Sequence, residues 1–114
     1  MAKKLIYICG KYTDVNKEKQ SENVNYAREV AAYILLSGDI PVIPHAITEG
    51  LDFHELTKDK DHEFWLNEFC FPLLDRCDEI LVLDNHKTSK GALAEIEYAK
   101  QKGIKTYFLQ TAKL

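Results

Sequence analysis

The sequence predicts a small, doubly wound α/β domain of three layers, built on a parallel sheet of four or five strands. Short apolar, β-rich runs alternate with segments of helical periodicity. The connections between them are mostly short, and glycines stand where helices should end. One run, Glu79–Leu83, is apolar almost throughout, the pattern of a strand covered on both faces. Strand–helix–strand alternation of this kind implies parallel strands joined by right-handed crossovers, with helices packed on both faces of the sheet.

Taken in order, Lys4–Cys9 reads as the first strand, ended by Gly10. A polar stretch over 11–20 follows, and a helix is expected from about Ser21, a plausible N-cap. Val24, Ala27, Val30, Ala31, Ile34 and Leu35 recur on one face of that helix, and Gly38 stands at its end. Ile40–Pro44 reads as a second strand, and its prolines suit an outer position. The segment from Ala46 to Asp61, with Gly50 and the charge run 58–61, is expected to be a surface loop, either a lid or a solvated connection. A helix is predicted over 62–75, ended or bent near Pro72. After the Glu79–Leu83 strand come a helix from Ser89 to about Lys102, a Gly103 cap and a last strand over 106–109. The pattern is Rossmann-like or flavodoxin-like. In such sheets ligands bind beyond the C-terminal strand ends, where the strand order reverses. Gly10–Asp14, His45 with the residues just after it, Asp84–Gly91 and Gln110–Thr111 fall at that edge.

The 114 residues fit one domain spanning 1–114, long enough to bury roughly two-thirds of the unfolded surface. With 46% hydrophobic and 29% charged residues the composition is that of an ordinary globular protein. A net charge of −3 argues against a nucleic-acid polymer as partner. The apolar run Leu5–Cys9 is too short for a signal core or a membrane span. Cys9, Cys70 and Cys77 cannot all pair, so reduced thiols in a cytoplasmic protein are expected. His45, His54, His62 and His86 are scattered without paired ligand spacing, so neither a metal nor another cofactor is expected.

Asp84–Glu95 is the most informative stretch. Ser89, Lys90 and Gly91 open a helix directly after the buried strand, where unsatisfied N–H groups and the helix dipole favour a phosphate. Ser89 read alone is an ordinary N-cap. Glu95 lies beside the apolar stripe Ala92, Ile96 and Ala99, while Glu97 points the opposite way. No i+3 or i+4 cation explains it, which leaves nucleophilic or ligand-orienting work, or a pairing with a distant lysine. At the first strand, Tyr7 is either core or functional, Lys11 and Thr13 are candidate anion contacts, and Gly10 permits close approach of a ligand. His45 is a candidate sugar or phosphate contact at the same edge. The stretch after Gly10 has neither the P-loop spacing nor a GxGxxG fingerprint.

YICG near the N-terminus, with Ser89-Lys90-Gly91-Ala92-Leu93-Ala94-Glu95 opening a helix after a strand, resembles the nucleoside 2-deoxyribosyltransferase superfamily. The sequence is closest in style to the branch that hydrolyses 2′-deoxynucleoside 5′-monophosphates. It is also similar to short phage and bacterial proteins of uncharacterised function in that superfamily. These share a pattern that falls here on Asn25, Ala31, Leu36, Gly38, Val42, Pro44, Cys77, Asp78, Leu83, Ser89, Gly91, Ala92 and Glu95. The match is good at the ends and poor from Ala46 to Asn67.

The resemblance implies cleavage or transfer at the N-glycosidic bond of a (deoxy)nucleoside or its 5′-monophosphate, with Glu95 as nucleophile and Tyr7 beside it. It places the 5′-phosphate at Ser89, and it implies a homodimer or higher homo-oligomer. The family usually carries an aspartate eight residues before the Asp of its CD pair, to help protonate the departing base. That position here is Cys70, and a neutral thiol is a poor substitute. Glu63, two helical turns earlier, is a possible replacement. The alternative is a protein that binds a nucleotide, or a nucleotide-derived signal, on the same scaffold without turning it over.

Overall fold

The computed structural model describes residues 2–110. Its sheet has four parallel strands, β1 (Leu5–Cys9), β2 (Ile40–Val42), β3 (Glu79–Val82) and β4 (Lys105–Phe108), in the order β2-β1-β3-β4. Register follows from pairs such as Tyr7 with Val42, Tyr7 with Ile80, and Leu81 with Tyr107. The chain leaves β1 toward β2 and returns on the other side to β3. The order therefore reverses between β1 and β3, and the crevice of a doubly wound sheet opens at their C-terminal ends.

Alternation along the central strands divides the interior. Tyr7, Cys9, Ile80 and Val82 pack with Leu74, Ala92, Ile96 and Ala99 on one face. Ile8 and Leu83 pack with Ala27, Val30 and Ala31 on the other. A strand's side chains alternate faces, so Tyr7 and Cys9 necessarily meet the same helix layer. That layer consists of α4 (Phe71–Asp75) and α5 (Lys90–Lys102), with α1 (Lys17–Leu36) covering the opposite face.

Several boundaries differ from expectation. α1 begins a turn early because Asn16, not Ser21, caps it, accepting from the Glu18 and Lys19 N–H groups at 2.8 and 3.3 Å. Leu35 is 60% exposed, because the last turn of α1 lies against a β2 of only three residues. β2 does occupy a sheet edge, but Pro44 starts α2 (Pro44–Thr48), where a missing N–H is harmless. The stretch expected as a loop over 46–61 is thus partly helical, with most of α2 and a 3₁₀ turn at Leu51–Phe53.

The predicted 62–75 helix persists past Pro72. It runs as α3 (His62–Trp65), a π segment at Leu66–Cys70, and α4. Proline lacks the N–H that would bond back one turn, and the wider π turn before it absorbs the mismatch. α5 begins at its Ser89 N-cap and ends on Gly103, whose φ of 72° suits glycine. β4 lies one residue earlier than predicted. Thr111 lies outside the described residues.

Candidate active site

A cavity of about 480 Å³ opens at the C-terminal edge of the sheet. Gly10, Tyr12 and Thr13 line it from the β1–α1 loop, and Pro44, His45 and Thr48 from α2. Asp52 joins from the 3₁₀ turn, and His62, Trp65, Leu66 and Cys70 from α3 and the π segment. The start of α5 completes the wall with Ser89, Lys90, Gly91, Ala92 and Glu95.

Glu95 is 4% exposed, and among the described residues no cation pairs with it. Its Oε2 accepts the Tyr7 hydroxyl, and the Cys9 sulfur lies 3.6 Å from Oε1. The same sulfur is 3.5 Å from the Ala92 carbonyl, so its one proton serves one acceptor at a time. Burial pushes the Glu95 carboxyl up to about 7, although Tyr7, Cys9 and the nearby Cys70 thiol pull the other way. Burial, with Glu95 alongside, also raises Tyr7 and Cys9 well above their ordinary ranges, so both stay protonated as donors. Tyr7 is fully buried, so it serves core and site at once.

Ser89 fills both roles considered for it. Its Oγ accepts the Ala92 N–H at 3.1 Å as the α5 cap, and the residue faces the cavity with its own O–H left to donate. Gly91 is close-packed, since a Cβ there would stand 3.3 Å from His62 Cε1. Gly10 is required by its own chain as well as by the cavity. A Cβ would come within 2.7 Å of Leu83 Cδ1 and 2.8 Å of Asn85 Oδ1. The same Asn85 oxygen accepts the Lys11 N–H at 2.9 Å and ties the two loops together.

Two candidates lie elsewhere. The Lys11 ammonium turns to Asp14, 3.7 Å away, and the residue is not among those lining the cavity, whereas Thr13 is. Glu63 is exposed and also absent from the lining. Its alignment with Cys70 assumed two regular turns, but the π segment adds a residue per turn and rotates the face. His62 and Trp65 face the cavity in its place.

In the second half of the site His45 is expected from the sequence, whereas Tyr12 and Asp52 are not. The Tyr12 ring stacks on His45 with centroids 5.3 Å apart, and its hydroxyl donates to Asp52 Oδ2 at 2.7 Å. Burial lowers His45 to about 4, which leaves the imidazole neutral at pH 7. Among the described residues no group of three or more His, Cys, Asp or Glu is placed to hold a metal ion. No helix among them is long and apolar enough to cross a membrane.

A family model described as Domain of unknown function (DUF7768) matches residues 4–109. The chain belongs to this DUF7768 family. The match takes in all four strands and every cavity residue. A search of curated proteins finds no match to the chain.

Proposed function

We propose that this DUF7768 domain cleaves, or transfers across, the N-glycosidic bond of a (deoxy)nucleoside or its 5′-monophosphate. The observation that carries the reading is Glu95: a buried carboxyl at a nucleotide-sized cavity, oriented by the Tyr7 hydroxyl and without a cation among the described residues. The cost of burying such a group makes sense if it works.

In the proposed reaction the ionised Glu95 attacks the anomeric carbon, and the carbon–nitrogen bond breaks with its electron pair leaving on the base. Water, or a second base, then attacks the same carbon and releases the carboxylate. Tyr7 fixes the attacking carboxylate. A 5′-phosphate would take the free N–H groups at the start of α5 and the Ser89 hydroxyl. Cys70 is held at about 12 by burial, so it gives a proton to a departing base only weakly. Water entering beside the exposed His62 supplies that proton in this reading. The chemistry calls for no cofactor. In this reading the working form is cytoplasmic, as the unpaired cysteines suggest, and by resemblance a homodimer or higher homo-oligomer.

The test is chromatography of dAMP, dGMP, dCMP and dTMP, with their nucleosides, after incubation with wild type and Glu95→Gln. Free base released by wild type and not by the folded variant is the expected result. Equal release by both would sink the assignment of Glu95. The weak acid at Cys70 favours a second reading, nucleotide binding without turnover. Intact ligand after long incubation, together with thermal stabilisation, would select that one.

A further inference from the structure

Two polar atoms on the α2 side of the cavity have no hydrogen-bond partner, Nδ1 of His45 and Oδ1 of Asp52. Leaving such an atom buried and unpaired costs its full desolvation penalty, so each calls for a reason. Both residues line the cavity, and Tyr12 links them by its stack on one and its hydrogen bond to the other. The Tyr12 hydroxyl occupies Oδ2 of Asp52, which leaves Oδ1 as the acceptor on offer. The imidazole is neutral at pH 7, so one ring nitrogen carries the proton and the other accepts; with the proton on Nε2, the unpartnered Nδ1 is a second acceptor.

Two acceptors call for a ligand edge that carries two donors. Tyr12, His45 and Trp65 supply aromatic walls, which suit a flat heterocycle better than a sugar. We propose that His45 and Asp52 form a base-reading subsite selective for a guanine-type edge, whose ring N–H and neighbouring amino group are both donors. Adenine sets an acceptor beside its amino group, and thymine flanks its N–H with two carbonyls that would face these acceptors. This inference rests on the glycosidic reading and adds the identity of the base.

The test is calorimetric binding of dGMP, dIMP, dAMP and dTMP to Glu95→Gln, which removes turnover, alone and combined with Asp52→Asn or His45→Ala. Melting curves check the fold of each variant. dGMP should bind about tenfold more tightly than dIMP, which lacks only the amino group. Asp52→Asn, which sets an amide beside the Tyr12 hydroxyl, and His45→Ala should each bring that ratio close to one. Equal binding of dGMP and dIMP, or a ratio untouched by both substitutions, overturns the subsite and leaves the glycosidic reading standing. Absence of binding by all four nucleotides overturns both.

Discussion

Glu95 and His45 are both buried titratable groups, and burial moves them in opposite directions. The folded chain holds the Glu95 proton up to about 7 against an ordinary 4.5, so between those values the native state binds more protons than the unfolded one. Glu95 therefore costs stability progressively as pH rises from 4.5 to 7. His45 is held neutral down to about 4 against an ordinary 6.5, so its contribution is lost as pH falls through that window. The two trends nearly cancel in the wild type. Glu95→Gln should uncover the histidine slope, with stability rising from pH 4 to 6.5, and should melt above wild type at pH 8 by the equivalent of about 3 kcal/mol. A variant that is less stable than wild type at pH 8 would mean that the carboxylate is structural. The same titration governs activity. If Glu95 is the nucleophile, kcat/KM should rise as pH increases through about 7, since the ionised form attacks. A rate that is flat between pH 5.5 and 8.5 would speak against it.

At the scale of elements, the start of α5 and the end of β1 can be tested separately. Ser89 is both cap and cavity wall, and Ser89→Asp separates the two roles. Aspartate caps as well as serine, so the melting temperature should hold, while its charge should weaken binding of monophosphates relative to nucleosides. Equal loss for both ligand classes would place no phosphate there. Gly10→Ala drives a methyl group against Leu83 and Asn85, and thermal melting should show it less stable by about 1–3 kcal/mol. The elements that the sequence predicted well are those whose signal is local. The alternation of β1 and the periodicity of α5 placed Tyr7 and Glu95 at the edge of the sheet, and period two along β1 would also have placed Cys9 beside Tyr7. In the other half of the site His45 could be placed because it directly follows the second strand, whereas Tyr12 and Asp52 had no such signal. The Tyr12–Asp52 hydrogen bond spans 40 residues and joins a loop to a 3₁₀ turn, neither of which has a repeating pattern. The π segment misled in a similar way, because one extra residue per turn cannot be read from apolar spacing.

For the whole molecule, the cavity lies where the sheet order reverses, and its walls come from segments far apart in the chain. The β1–α1 loop, α2 with its 3₁₀ turn, the π segment and α5 meet there, tied by contacts such as Lys11 to Asn85 and Tyr12 to Asp52. A ligand touching several of these segments at once binds only the folded chain, so its binding energy adds to global stability. At a hundred times its dissociation constant, a nucleotide should add about 2.7 kcal/mol. For a domain of this size that raises the melting temperature by roughly 10 °C or more. The rise should survive Glu95→Gln, which keeps the cavity and removes only the attacking carboxylate. It should shrink when Asp52→Asn and Ser89→Asp are combined, because those changes alter two walls of the cavity that come from different segments. A melting temperature indifferent to every nucleoside and nucleotide would mean that no such ligand bridges these walls, and the buried Glu95 would then need another substrate to account for it.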